Sequence, residues 1–124
     1  MQAVFNTAPL TDATRGMFDA EFFAAMKPTA FFVSVGRGSS AVTDDLVAAL
    51  ENGEIAGAGL DVTDPEPLPP EHPLWTAPRV IISPHTGGRS GQGRERLFRL
   101  VTENLRRYAA GDKLLSVVDI ERGY

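Results

Sequence analysis

Three short segments of this 124-residue chain carry side chains that together could do acid–base chemistry on a small anion. Arg37 stands in "VGRGSS", Glu66 in "DPEPLP" and His85 in "ISPHTGG". Arginine offers a rigid fork of N–H donors that binds a carboxylate through two bonds. Histidine is the usual general acid or base near neutral pH, and a carboxylate on its second ring nitrogen favours the imidazolium form. A substrate with a carboxylate beside a carbonyl suits this set.

Each of these residues also has an ordinary structural interpretation. Arg37 could pair with Asp44 or cap a helix. Glu66 lies in a proline-rich loop, where side chains are mostly exposed, and a histidine after a strand is often incidental. The functional interpretation therefore depends on whether the fold brings the three side chains to one place.

The segments that must position these residues alternate between strand-like and helix-like patterns. One helix is predicted to begin at Asp19 in "DAEFFAAM" and to end at Lys27-Pro28. A second is predicted in "DDLVAALENG", with Thr43 as its N-cap and Gly53 at its C′ position. Apolar runs predict strands at 3–5, 30–35, 57–62 and 79–82, and Thr11 is predicted to cap a short helical turn. A glycine-rich loop at 86–93 leads to a predicted helix at about 94–109, which ends at Gly111. An extended tail is predicted at 114–119.

This alternation predicts an α/β fold with a mostly parallel sheet. Ligands of such sheets bind outside the carboxyl ends of the strands. Arg37 follows the second predicted strand, Asp61 and Glu66 follow the third, and His85 follows the fourth. We therefore expect these side chains to converge at one edge of the sheet.

Composition narrows the class of protein. Hydrophobic residues make up 43% of the chain and charged residues 23%, which is ordinary for a soluble globular domain. No apolar run is long enough to span a bilayer and the first residues do not resemble a signal peptide, so no membrane partner is expected. The chain has no cysteine, which fits a cytoplasmic protein and excludes thiolate metal sites.

The charge is unevenly distributed along the chain. Residues 1–78 hold three basic and eleven acidic side chains, whereas residues 79–124 hold nine basic and five acidic ones. Six arginines between Arg89 and Arg107 could mark a nucleic-acid surface. Apolar side chains recur at helical spacing through the same stretch, however, so an amphipathic helix with a solvated arginine face is the better interpretation and no nucleic-acid partner is expected.

Taken together, the motifs resemble the D-isomer-specific 2-hydroxyacid dehydrogenase family. They occur in that family's order and spacing: "PLTDAT", "MKPTAFFV", "GAGLDV", "EPLPPEHPLW" and "SPHTGG". The resemblance implies the second half of a Rossmann-like doubly wound parallel sheet followed by a C-terminal amphipathic helix. It also implies hydride transfer between a nicotinamide cofactor and a small 2-oxo or D-2-hydroxy acid.

Residue roles follow from the resemblance. Arg37 would bind the substrate carboxylate and carbonyl, His85 would be the general acid/base, and Glu66 would hydrogen-bond His85. The positions that would line the cofactor are Ala8, Pro9, Ser34, Val35, Gly36, Asp61 and Gly87. The family usually has asparagine where this chain has Ser34, so a changed contact is expected there. The implied cofactor is NAD, with NADP left open because no segment that separates the two is found.

No G-x-G-x-x-G motif precedes residue 30, although the family needs one to bind the pyrophosphate. The chain therefore resembles the C-terminal part of a longer enzyme. Residues 1–88 would be the second half of the dinucleotide-binding domain, and residues 89–124 a helix and tail that pack on a substrate domain. We expect the isolated chain to be inactive and to self-associate as a homo-oligomer, with exchange of the C-terminal arm as one route. The alternative is a non-catalytic fragment or partner-binding remnant of this fold.

Overall fold

A computed structural model describes residues 2–121 of the chain. The chain divides into two compact units, Met1–His85 and Thr86–Tyr124. Residues 122–124, the end of the segment 89–124 predicted to be a helix and tail, lie outside the described part. Over residues 2–121, no helix combines the length and the apolar content needed to cross a bilayer.

The first unit is built on four parallel strands in the order β1-β2-β3-β4. The strands are β1 (Gln2–Asn6), β2 (Ala30–Ser34), β3 (Gly57–Leu60) and β4 (Val80–Ile82). Helices α1 (Ala20–Ala24) and α2 (Thr43–Glu51) belong to this unit, and α3 (Gly91–Ala110) belongs to the second. Single 3-10 turns cover Gly38–Ser40 and Pro73–Trp75. The predicted α/β fold with a parallel sheet is confirmed.

The core lies on one face of the sheet, under α1 and α2. Phe32 of β2 is fully buried, with its ring 5.0 Å from that of Phe18 and 5.3 Å from that of Phe23. Leu46 and Leu50 of α2 complete the contact with the sheet. The four strands follow one another in sequence and in space, so their carboxyl ends form one edge of the unit.

The opposite face of the sheet is apolar and uncovered by the described elements of the first unit. Side chains alternate along a strand, so this face carries Phe5 of β1, Phe31 and Val33 of β2, and Ile81 of β4. Phe5 is 65% exposed and Ile81 is 76% exposed. These four residues are called the open sheet face below.

Several predicted helix boundaries are wrong in informative ways. Helix α1 ends at Ala24 rather than at Lys27, because the chain already turns there through a bond from the Met26 amide to the Phe23 carbonyl. Thr43 is not the N-cap of α2 but its first residue, and its hydroxyl donates to the Asp64 carbonyl at 2.6 Å. A distant backbone acceptor has taken the place of the local cap.

Two further expectations need correction. The helical turn predicted at Thr11 is present, because the Arg15 amide donates to the Thr11 carbonyl at 3.0 Å. Thr11 does not cap it with its side chain, however: the Thr14 hydroxyl accepts from the Thr11 amide at 2.8 Å. The glycine-rich loop is shorter than 86–93, because α3 already begins at Gly91. Ser90 caps that helix by accepting from the Gly93 amide at 2.9 Å. This cap offsets part of the low helix propensity of the two glycines in the first turn.

Helix α3 is amphipathic, as predicted, and its polar side is held by ion pairs such as Arg107–Glu103. It contains no buried residue. Most of its large apolar side chains are exposed: Leu97, Phe98, Val101, Leu105 and Tyr108. The tail predicted to be extended over 114–119 instead bends at Leu115 and Ser116. It bends there because Asn104 exchanges two hydrogen bonds with the Leu115 backbone.

Candidate active site

His85 and Glu66 meet at the carboxyl edge of the sheet. The Nδ1 atom of His85 lies 2.6 Å from Oε1 of Glu66, and both side chains are about two-fifths exposed. A carboxylate only accepts hydrogen bonds, so Nδ1 carries the proton of this contact and Nε2 is the nitrogen left to exchange a proton with a reactant. Water screens an ion pair this exposed, so the contact adds little to the free energy of unfolding. Its effect is to orient the His85 ring.

The backbone that presents His85 has an unusual conformation. His85 has a φ of 51°, in the left-handed region that non-glycine residues seldom occupy. Its amide donates to the Ser83 carbonyl at 3.0 Å, which closes a tight turn around Pro84. Backbone strain of this kind clusters at functional sites, where it serves to aim a side chain.

Asp61, at the end of β3, is joined to the end of β4. It is 8% exposed, and one of its carboxylate oxygens accepts from the Ser83 hydroxyl at 2.6 Å. The Asp61 amide also donates to the Ser34 carbonyl of β2 at 2.9 Å. The first bond gives a nearly buried carboxylate a hydrogen-bond donor, and the second fixes its backbone beside β2.

A cavity of about 240 Å³ connects these groups. Its polar wall contains Asp61, Glu66, Ser83 and His85, and the remaining lining is mostly apolar: Thr63, Pro67, Leu68, Trp75, Ile82 and Pro84. All of these residues belong to the first unit. The cavity therefore brings a carboxylate and an imidazole to the same wall, as acid–base chemistry requires.

Arg37 lies outside the lining of this cavity. It follows β2 at the same edge of the sheet, and its side chain is exposed. Its guanidinium donates to the carbonyl of the preceding residue, Gly36, at 2.9 Å. The structure thus pairs Glu66 with His85 and leaves Arg37 facing solvent, without a contact to either in the described residues.

The ends of β1 and β2 are tied together by a buried polar pair. Asn6 is 1% exposed and donates from Nδ2 to the Ser34 hydroxyl at 3.0 Å, and its Oδ1 accepts from the Ala8 amide at 3.1 Å. Gly36 packs so closely on this turn that an added Cβ would stand 2.8 Å from the Ala8 carbonyl oxygen. The Ser34 hydroxyl is thus engaged inside the protein.

The remaining predicted cofactor positions are more open. Val35 is 47% exposed, and its amide donates to the Asn6 carbonyl at 3.0 Å. Pro9 is exposed, and its carbonyl accepts from the Thr14 hydroxyl at 2.7 Å. Gly87 is exposed and belongs to the second unit.

Sequence reasoning missed Asn6 and Ser83, which hold the ends of neighbouring strands together. The available signal was a polar residue directly after an apolar strand, in "AVFN" and "VIIS". Such residues lie where parallel strands end, so they are well placed to bond across the edge of the sheet.

Comparison with known proteins identifies the family. Residues 1–87 match the family model described as "D-isomer specific 2-hydroxyacid dehydrogenase, NAD binding domain". The chain is 50% identical over 116 residues to an uncharacterized protein from Corynebacterium melassecola, covering 94% of this chain and 38% of that protein. It is 37% identical over 123 residues to glyoxylate/hydroxypyruvate reductase A of Photorhabdus laumondii, covering 99% of this chain and 39% of that protein.

A solved structure agrees with this match. It is the NADPH-dependent glyoxylate/hydroxypyruvate reductase SmGhrA of Sinorhizobium meliloti in complex with NADP and sulfate. It is 35% identical with a TM-score of 0.89, covering 99% of this chain and 40% of that one. The chain thus spans about two-fifths of the length of these relatives. With a matched family model over most of its length, the chain belongs to the D-isomer specific 2-hydroxyacid dehydrogenases.

Proposed function

We propose that this chain forms the acid–base and nicotinamide-facing part of an NAD(P)-dependent oxidoreductase that interconverts small 2-oxo acids and D-2-hydroxy acids. The observation that carries the proposal is the 2.6 Å contact between His85 and Glu66 in a cavity that Asp61 also lines. In this proposal residues 1–88 are the second half of a dinucleotide-binding domain, and residues 89–124 form the helix and tail that pack on a substrate domain.

The residues at the sheet edge fit a nicotinamide cofactor. Asp61 offers a carboxylate that can accept from a carboxamide, and it lines the same cavity as His85. Ala8 and Gly36 carry little or no side chain where a flat ring must approach the backbone. When bound, the cofactor supplies the hydride. The family match and the NADP in the Sinorhizobium structure support this class of cofactor, and both NAD and NADP satisfy these contacts.

The residues of this chain divide the rest of the reaction between them. In the direction of reduction, Arg37 binds the substrate carboxylate through its guanidinium fork and polarises the carbonyl group. His85 donates a proton from Nε2 to the carbonyl oxygen as that oxygen gains negative charge. Glu66 holds the ring through Nδ1, which leaves Nε2 directed at the reactant. In oxidation, His85 takes the proton back through the same atom.

The substrates we propose are the smallest 2-oxo acids, such as glyoxylate and hydroxypyruvate. Relatives named as reductases of these two acids support this choice. The absence of cysteine favours a cytoplasmic location.

The test is a chimera in which this chain replaces the matching two-fifths of the Sinorhizobium reductase. We expect the chimera to oxidise NADPH in the presence of glyoxylate or hydroxypyruvate, and the isolated chain to show no turnover. His85→Gln in the chimera should lower kcat by on the order of 10²- to 10⁴-fold. The matched control is His72→Gln, which changes the chain's other histidine and should leave the rate within about twofold.

Two results would overturn the proposal. One is a chimera that folds and binds NADPH but reduces none of glyoxylate, hydroxypyruvate or pyruvate. The other is a His85→Gln chimera with a near-normal rate, which would remove the acid–base assignment.

A second candidate function is a non-catalytic piece that binds a partner or a second copy of itself. The observation that favours it is the open sheet face, where Phe5 and Ile81 remain mostly exposed. Large apolar side chains grouped on one face mark association surfaces. Turnover by the chimera separates this candidate from the enzyme.

A further inference from the structure

Ser83 is the residue through which the end of β4 is attached to the end of β3. Its amide donates to the Leu60 carbonyl at 2.8 Å, and its hydroxyl donates to Oδ1 of Asp61 at 2.6 Å. Its carbonyl accepts from the His85 amide at 3.0 Å. One residue thus links β3, the Asp61 carboxylate and the histidine turn.

The local structure makes the placement of His85 depend on these three bonds. Strand β4 has three residues and pairs on one side with β3. The next residue, Pro84, has no N–H to extend the ladder. The left-handed backbone of His85 is intrinsically unfavourable and persists only where its surroundings hold it. The turn that begins at Ser83 supplies that constraint.

We infer that Ser83 is a positioning residue that holds the His85 turn at a fixed place relative to the Asp61 carboxylate. This inference rests on the proposed function, in which Asp61 faces the cofactor and His85 faces the substrate. Hydride and proton must reach neighbouring atoms of one carbonyl group, so the two groups need a rigid spacing. The Ser83 hydroxyl provides that link with a hydrogen bond to a charged acceptor, which is stronger than a neutral one.

The test compares Ser83→Ala with Ser83→Thr in the full 124-residue chain by NMR. The alanine variant removes the hydroxyl. The threonine variant keeps it, at a residue that lines the cavity rather than the core. The readouts are hydrogen exchange at the His85 backbone amide and at the Nδ1 proton of its ring. Amides of α2 and the ring of His72 serve as internal references.

In Ser83→Ala we expect exchange at both His85 sites to accelerate by at least about tenfold while the α2 amides stay within about twofold. Ser83→Thr should restore the wild-type rates. Unchanged exchange at His85 in the alanine variant would overturn the inference. Equal acceleration at α2 would also do so, because it would mean that Ser83 supports only the overall fold.

Failure of threonine to restore the rates would remove the hydroxyl from the explanation and would likewise overturn the inference. The experiment requires no turnover and no bound cofactor. Its failure would therefore leave the proposed enzymatic function standing. An inactive chimera, in contrast, would not alter what the exchange rates say about Ser83.

Discussion

Replacing Gly38 with alanine should separate the two loops that present Arg37 and Glu66. A Cβ added at Gly38 would lie 1.9 Å from the Thr63 carbonyl oxygen and 2.2 Å from its carbonyl carbon. These are backbone atoms, so no rotamer change can relieve the overlap. An ordinary contact needs about 3.4 Å, so the two loops must part by roughly 1.5 Å.

The cost of this separation can be worked out from the bonds around the contact. Overpacking of a close contact costs about 1–3 kcal/mol. The movement also strains the bond from the Ala41 amide to the Gly38 carbonyl, at 3.0 Å, and that from the Thr43 hydroxyl to the Asp64 carbonyl, at 2.6 Å. Each is worth about 1 kcal/mol. We therefore expect Gly38→Ala to lower the free energy of unfolding by about 3–5 kcal/mol.

The assay is urea denaturation followed by circular dichroism, at one protein concentration so that association does not differ between samples. Gly59→Ala is the matched control, because its added Cβ would meet the nearest atoms, of Val33, at an ordinary 3.8 Å. That variant should stay within about 0.5 kcal/mol of wild type or gain slightly, since alanine suits a strand better than glycine does.

The same substitution should also disturb the candidate site. Thr63 lies three residues before Glu66, so displacement of its loop should weaken the Glu66–His85 contact and speed exchange of the His85 Nδ1 proton. A Gly38→Ala variant as stable as Gly59→Ala, with an unchanged His85 ring signal, would refute the close approach on which this reasoning depends.

Two other substitutions test the packing of the first unit. Ser40 is fully buried, and its hydroxyl has no hydrogen-bond partner among the described residues. Ser40→Ala should therefore raise the free energy of unfolding by about 1 kcal/mol in the same urea assay. If the variant instead lowers the free energy of unfolding by more than about 1 kcal/mol, the hydroxyl is hydrogen-bonded in the folded protein. The double variant Phe5→Ser/Ile81→Ser should shift the isolated chain towards a monomer, because the open sheet face loses its largest exposed side chains. The measurement is light scattering across a concentration series. A wild-type chain that is monomeric at every concentration would contradict the expected self-association.

Local sequence patterns were sufficient to locate the strands and to predict a parallel α/β sheet. Apolar runs located all four strands, and Asp19 caps α1 as predicted. Gly53 and Gly111 end α2 and α3 with φ values of 70° and 75°, as expected of glycine in the left-handed region. These features depend on neighbours within a few residues, and a sequence records such neighbours directly.

The candidate site was only partly predictable. The positions of Glu66 and His85 after successive strands predicted that they would lie at one edge, since parallel strands end on the same side. Their 2.6 Å contact, and the exposed guanidinium of Arg37 bonded to its own preceding carbonyl, could not be read from the sequence. Strand order limits which residues are near one another but does not decide which side chains bond.

The tertiary structure alone decided the polar partners that shape the edge. Ser34 bonds to Asn6, 28 residues away, and Ser83 bonds to Asp61, 22 residues away. Thr43 left its predicted capping role for the carbonyl of Asp64. The first two bonds follow from the register of neighbouring strands, which places a donor and an acceptor within 3 Å. The third follows from the packing of α2 beside the loop after β3. A hydrogen bond forms only when donor and acceptor lie about 3 Å apart, so an error of one residue in the strand register would remove it. No local sequence pattern predicts the register to that accuracy.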